Sequence, residues 1–370
     1  MSFELVHTDK NTSARAGVLM TSHGQVQTPV FMPVGTQAAV KSMSPEELEE
    51  IGIQIILSNT FHLFWRPGPE LIKKAGGLHS FMHWKHPILT DSGGYQIFSL
   101  APLCKLEERG VSFKSLIDGS TIFLSPEMAV QIQMEFGVDI ITVLDECLSY
   151  PSPLARVRGS VELSLNWARR GRQVFLARRN NRQLLFGIVQ GSTYPEIRRD
   201  CAERLIDIGF DGYALGGISV GEAKNLVFEI VEATVTHLPR GKPRYLMGVG
   251  TPLDILRAVE KGVDMFDCAI PTRNARNGTV YTYGGKLCLK NAAFIDDFQP
   301  IEKGCFCYAC RNFSRAYIRH LFKGGEILAM RLATWHNLHF YTRLLSDARQ
   351  AISEDKFSGF LKEFKRNYQA

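Results

Sequence analysis

The chain of 370 residues has no apolar run near the ~18 residues needed to span a bilayer. Its start, Met1-Ser2-Phe3-Glu4, lacks the basic residues and hydrophobic stretch of a secretory leader. No low-complexity segment and no short repeat is present. There is no phosphate-binding P-loop, and the glycine-rich segments do not match a dinucleotide fingerprint. Cysteine is thinly spread: of eight, Cys104, Cys147, Cys201, Cys268 and Cys288 are scattered, and three crowd together at Cys305, Cys307 and Cys310. These absences lead to the expectation of a cytoplasmic, membrane-free protein with reduced thiols. In that setting a tight cysteine cluster points to metal before disulfide.

What is present is ordinary for a soluble globular chain, with 45% hydrophobic and 22% charged residues. The length suits one (β/α)₈ barrel with an appendage. The charge is uneven. From Lys286 to the end there are 14 Lys+Arg against 8 Asp+Glu, whereas residues 1–285 carry equal numbers of each sign. A basic last quarter on a neutral body fits a polyanion footprint, and it also fits a solvated helical surface rich in Lys and Arg.

Eight short apolar runs recur: Val30–Val34, Ile53–Leu57, Pro87–Thr90, Ile140–Leu144, Leu184–Val189, Gly212–Leu215, Arg244–Met247 and Asp264–Phe266. Runs of this length fit strands buried on both faces. Helical patterns separate most of them: Ser44–Ile51 with Ser44 and Glu47 as a capping box, Pro126–Phe136, Ser160–Arg178, Pro195–Ile208, Glu222–His237 and Pro252–Lys261. The alternation predicts an α/β fold, a (β/α)₈ TIM barrel over residues 1–285, with a doubly wound open sheet as its rival. Residues 286–370 are read as an appended zinc-binding subdomain. Two helices are expected there, Phe313–Ala333 and His336–Ser353, followed by a basic amphipathic tail, Phe357–Tyr368.

Several apolar runs end in chemistry-bearing residues: Asp91-Ser92-Gly93-Gly94, Asp145-Glu146-Cys147, Gln190-Gly191, Gly216-Gly217, Gly248-Val249-Gly250 and Asp267-Cys268. In a barrel these positions converge on the C-terminal mouth, where active sites sit. Singly, each acid reads equally well as a helix N-cap and each glycine as a turn residue. Together, three carboxylates, an amide and bare backbone suit a purine-like base, whose edge offers N–H donors and a carbonyl acceptor. A second carboxylate suits attack on an anomeric carbon. This reading alone leaves a sugar or nucleoside glycosidase open.

Cys305-x-Cys307-x-x-Cys310 with a histidine supplies a closed tetrahedral zinc site of structural type. His336, His339 and His320 are all available as the fourth ligand. The arginine run Arg169, Arg170, Arg172, Arg178, Arg179 and Arg182 reads first as a solvated helix face and second as an RNA contact.

The segments Thr28–Thr36, TDSGGYQ at Thr90–Gln96, DEC at Asp145–Cys147, GIVQG at Gly187–Gly191, LGGISVGE at Leu215–Glu222, YLMGVGTP at Tyr245–Pro252 and FDCAIPTRNARNG at Phe266–Gly278, with the CxCxxC…H set, resemble the bacterial-type tRNA-guanine transglycosylases over essentially the whole chain. The resemblance implies exchange of the wobble guanine of tRNAs with G-U-N anticodons (those for Asp, Asn, His and Tyr) for a 7-deazaguanine, by double displacement through a covalent tRNA–enzyme intermediate. It implies Asp267 as nucleophile and Asp91 as general acid/base. Asp145, Gln190, Gly217, Tyr95, Cys147 and Ile218 would bind the base, and Arg273, Arg276 and Thr272 the tRNA. Cys305, Cys307, Cys310 and His336 would hold one structural zinc ion. The family pattern often has Leu where Ile218 stands. Cys147 and Val220 resemble the form that takes the small aminomethyl precursor preQ1 in preference to queuine. A homodimer is a further implication. A non-catalytic RNA-binding partner subunit, as eukaryotic relatives contain, is the alternative, and a zinc-stabilised RNA-binding scaffold is a third reading.

Overall fold

The computed structural model describes residues 2–94, 104–114, 119–178 and 182–368. The chain opens with three antiparallel strands, β1 (Phe3–Thr8), β2 (Arg15–Thr21) and β3 (Gly24–Thr28). Strands β4 (Val30–Pro33), β5 (Ile56–Asn59) and β6 (Ile88–Asp91) begin the central sheet. Between them lie α1 (Pro45–Ile51), α2 (Thr60–Trp65), α3 (Pro69–Lys74) and α4 (Leu78–Met82). An antiparallel insertion follows, β7 (Cys104–Glu107), β8 (Gly110–Lys114) and β9 (Thr121–Leu124). The alternation then resumes: α5 (Pro126–Glu135), β10 (Ile140–Thr142), α6 (Leu154–Arg178), β11 (Leu184–Val189), α7 (Pro195–Ile208), β12 (Gly212–Leu215), α8 (Lys224–Val235), β13 (Arg244–Leu246), α9 (Pro252–Glu260) and β14 (Met265–Cys268).

The eight central strands are parallel and ordered β4-β14-β13-β12-β11-β10-β6-β5. A parallel bridge between Val34 and Leu57 brings the two ends together, so the sheet closes into the expected barrel and not the open sheet. Each predicted run contributes its strand, and the burial explains why: β4, β5, β6 and β12 are buried at every position. The capping box at Ser44 and Glu47 forms as the sequence predicts. Helix α6 begins at Leu154, six residues before the predicted start at Ser160.

Two three-stranded antiparallel sheets were not expected. The β1–β3 sheet covers the bottom of the barrel, where the strands begin. Arg15 grips Asp264, just before β14, through Nε at 2.8 Å and Nη2 at 2.5 Å, and both side chains are buried. His23 and His79 stack with ring centroids 3.6 Å apart and both reach Asp139, just before β10. Asp264→Ala would strand a buried guanidinium and the Arg244 amide that Asp264 also accepts. Its expected cost is about 3–5 kcal/mol of unfolding free energy by denaturant titration, and a loss under about 1 kcal/mol would show that the pair is dispensable.

After the barrel come α10 (Ile270–Arg276), the hairpin β15 (Thr279–Thr282) and β16 (Gly285–Cys288), α11 (Tyr308–Asn312), α12 (Arg315–Gly324), α13 (Ile327–Ser353) and α14 (Phe357–Asn367). The helix pair predicted here is divided differently. Gly325, at φ 74°, ends α12, and α13 then runs 27 residues without a break through His336. Among the described residues no helix is long and apolar enough to cross a membrane.

Candidate active site and metal centre

Parallel closure fixes where the strand ends go: the C-termini share one face. Asp91 is the last residue of β6, and Asp267 is the penultimate residue of β14. Asp145 lies three residues past β10, Gln190 directly follows β11, Gly216-Gly217 follows β12, and Gly248 lies two residues past β13. The barrel therefore brings the three predicted acids and the amide to one mouth.

Asp145 and Gln190 form a buried pair, with Gln190 Nε2 donating to Asp145 Oδ2 at 2.6 Å. Burial pushes the Asp145 carboxyl up to about 6, aided by the charge of Glu146 and opposed by hydrogen bonds from Gln190 and Ser92. Glycine is required around this pair. A Cβ at Gly94 would stand 2.2 Å from Asp145 Oδ1, and one at Gly217, at φ 59°, would stand 2.2 Å from Gln190 Oε1. Both glycines are thus packed directly against the side chains of the pair. The Cys147 sulfur, a weak acceptor, lies near the Gly217 N–H. Cys147 and Ile218 are both buried beside it.

Asp267 is held by two donors on the same oxygen. The Tyr245 hydroxyl donates to Oδ1 at 2.6 Å and the Gly248 N–H at 2.9 Å. Burial raises its pKa, against those two hydrogen bonds. The Tyr245 phenol is pushed well above its usual range by burial and by the charges of Asp267 and Asp91, so it is a donor at neutral pH. Asp91 is held from the neighbouring strand end, by the Asn59 side-chain amide and the Thr60 N–H (3.3 Å). Two carboxylates with different donors around the same tyrosine can take different roles, one as nucleophile and one as proton carrier.

Other expected residues fall as follows. Tyr95 and Arg179 lie outside the described residues. On α10, Arg273 is exposed and Arg276 half-buried, with Arg276 Nη1 buried and lacking a hydrogen-bond partner. Thr272 is only 4% exposed, and its hydroxyl donates to the Ala269 carbonyl. The arginine run on α6 is mixed. Arg170 pairs with Glu127, while Arg182 lies by Ser22 at the barrel bottom, away from the mouth. Sequence reasoning missed Tyr245, Asn59 and Ser92 as holders of the acids, and Arg198 behind the pocket. Tyr245 sits inside a motif already singled out; Arg198 gave no signal, being one arginine in a polar helix.

In the C-terminal segment Cys305, Cys307, Cys310 and His336 gather, all buried, with ligand atoms within 4.8 Å of one another. His336 Nδ1 stands 4.0, 3.5 and 3.3 Å from the three sulfurs in sequence order. A tetrahedral ion at usual Zn–S and Zn–N distances holds S and N about 3.5 Å apart, so the donor set fits a closed zinc-type site. His336 Nε2 bonds the Tyr281 carbonyl at 2.8 Å, which leaves Nδ1 for the ion. His339 approaches only Cys305, at 3.7 Å. One residue on, Asn337 bonds the Pro271 and Thr279 carbonyls and the Tyr281 N–H, and Tyr341 bonds the Gly250 carbonyl. The same helix therefore clamps the cysteine loop and the segment that follows Asp267.

A family model described as "Queuine tRNA-ribosyltransferase" matches residues 9–370. A protein of that name from Caldanaerobacter subterraneus subsp. tengcongensis is 54% identical over 368 residues, 100% of this chain and 98% of its own length. Another from Pelotomaculum thermopropionicum is 53% identical over 369 residues, 100% of this chain and 99% of its own. A third, from Dictyoglomus turgidum, is 52% identical over 368 residues, 100% of this chain and 95% of its own.

Proposed function

The chain belongs to the queuine tRNA-ribosyltransferase family, and from that premise we propose that it exchanges the wobble guanine of G-U-N anticodon tRNAs for a 7-deazaguanine at the barrel mouth. The observation that carries this reading is the convergence of Asp91, the Asp145–Gln190 pair and Asp267 on one face of a closed barrel. The ionised Asp145 accepts from N1–H and the exocyclic amine of guanine. Gln190 and the Gly217 N–H meet the carbonyl edge, and Tyr95 stacks on the ring.

With Oδ1 of Asp267 held by Tyr245 and Gly248, Oδ2 is the oxygen that attacks C1′ of the ribose. The glycosidic bond breaks, its electron pair goes to the departing guanine, and Asp91 supplies the proton. The incoming base then loses its proton to Asp91, its nitrogen attacks C1′, and the ester to Asp267 breaks. One N-glycosidic bond replaces another, so no energy source is needed, and two displacements preserve the configuration at C1′. The target base must leave its stack, which a loop allows more cheaply than a duplex.

Arg273 and Arg276, with the Thr272 segment between β14 and the metal-bound helix, are the proposed tRNA contacts. Arg273 is the exposed one of the two and offers its guanidinium to an RNA phosphate. The metal is proposed to be zinc, with a structural role in residues 286–370 and chemistry confined to residues 1–285. Phe306, between two of its cysteines, is 76% exposed, an apolar side chain that suits contact with a second copy of the chain. Action on tRNA fits a cytoplasmic protein. Cys147 and Val220 favour preQ1 over queuine as the natural base.

Incorporation of labelled guanine into unmodified G-U-N tRNA, competed with preQ1 and with queuine, tests the reading. Incorporation with stronger competition by preQ1 is expected. No incorporation by folded, metal-replete protein would instead fit an RNA-binding partner subunit.

Two further results are expected. Because Asp145 must be ionised to read guanine and titrates at about 6, guanine affinity should fall about tenfold between about pH 7 and pH 5, tRNA affinity being measured separately. Its folded pKa is raised above 3.8, so ionisation costs stability as pH climbs from about 3.8 to about 6 and the loss is complete at neutral pH, where Asp145→Asn should unfold at a slightly higher temperature while losing base binding. A flat guanine affinity between about pH 7 and pH 5 would contradict the role. Cys310→Ser should lower metal content and melting temperature together, by roughly 2–5 kcal/mol of unfolding free energy. Full activity in metal-free protein would contradict a structural metal.

A further inference from the structure

Arg198, on α7, is 0% exposed. Among the described residues its side-chain hydrogen bonds all go to main-chain carbonyls: Nε to Ser192 (2.6 Å), Nη1 to Val189 (3.4 Å), and Nη2 to Gly216 (2.9 Å) and Gly217 (3.2 Å). A buried cation is costly unless it is paired or fully hydrogen-bonded, and these carbonyls supply the bonds. Burial lowers Arg198 to about 10, so it remains charged at neutral pH. Its donors are spent on the two loops that line the proposed base site, the one after β11 and the one after β12. The approach is built in: a Cβ at Gly191, at φ 140°, would lie 2.7 Å from Arg198 Cγ.

The carbonyl of Gly216 and the N–H of Gly217 belong to one peptide group. A guanidinium bonded to that oxygen draws density from the whole amide and makes its N–H a stronger donor. The Cys147 sulfur lies near that N–H and is only a weak acceptor, so a base carbonyl competes with it easily. We propose that Arg198 is a positioning residue acting through the Gly216–Gly217 peptide: it aims and strengthens the N–H that receives the O6 carbonyl of the base, and stabilises the negative charge that gathers on that oxygen as the base leaves. This rests on the base-site reading above. Preorganised dipoles backed by a fixed charge are how enzymes hold developing oxyanions.

The test uses Arg198→Met and Arg198→Lys in the full chain, with guanine and with 2-aminopurine, which lacks O6, as a competitor. Melting temperature and tRNA affinity are measured alongside. In Arg198→Met, guanine affinity should fall about tenfold while 2-aminopurine affinity changes less than about twofold, so discrimination between them collapses. Arg198→Lys, which keeps the charge and loses the fork, should recover part of that discrimination. A merely structural brace would weaken both bases equally or lower only the melting temperature, and either result overturns the inference. If Arg198→Met does not fold, Arg198→Lys decides, since unchanged discrimination there also overturns it. Asp145→Asn separates the two levels. Unchanged guanine binding in that variant sinks the base-site reading, whereas loss there with wild-type discrimination in the Arg198 variants sinks only this inference.

Discussion

Asp267→Asn should lower base exchange by roughly 10⁴-fold or more, the scale on which removal of a covalent nucleophile is felt. The substitution removes the proposed nucleophile and little else. The amide oxygen can still accept from the Tyr245 hydroxyl and the Gly248 N–H, and neutrality suits a buried position where burial already raises the acid's pKa. Melting temperature should therefore hold or rise while no tRNA–protein adduct survives denaturation. Turnover near the wild-type rate would move the nucleophile to Asp91 or Asp145.

Asp91→Asn is the second large effect. General acid–base catalysis contributes typically 10²–10⁴-fold, and an amide cannot pass the proton between departing and incoming bases. The Asn59 amide and the Thr60 N–H hold Asp91 from the adjacent strand end, so the variant loses a proton carrier and not an anchor of the sheet. Turnover should fall by that range with tRNA affinity unchanged, as single-turnover rates and gel-shift titration would show. Exchange within about threefold of wild type would assign the proton to another group.

The barrel was legible because burial on both faces leaves a plain signal. All eight runs are apolar, and helix starts carry Ser or Thr before Pro, as at Ser44, Ser125 and Thr251. The acids were legible because strand ends in a barrel share one mouth. The antiparallel sheets were not. Strand β9 is largely exposed, and β1 and β3 alternate polar with apolar residues over only five or six positions, too short a pattern to separate from a loop. The break expected at Thr334-Trp335, between Phe313–Ala333 and His336–Ser353, is absent because those two residues lack a helix-favouring signal of their own but sit inside a helix held by its neighbours. The metal cluster and the Asn337 bonds to the Asp267 side of the barrel hold it helical through that stretch. Arg198 and Tyr245 make their contacts with residues 18 and 22 positions away in sequence, a relation that only the closed barrel reveals.

The most direct measurement is mass spectrometry of the enzyme quenched in acid during exchange with a G-U-N tRNA, followed by nuclease and protease digestion. A ribosyl ester carried by Asp267 is the expected result. An ester on Asp91 or Asp145, or active exchange with no adduct at any point in the time course, would contradict double displacement through Asp267.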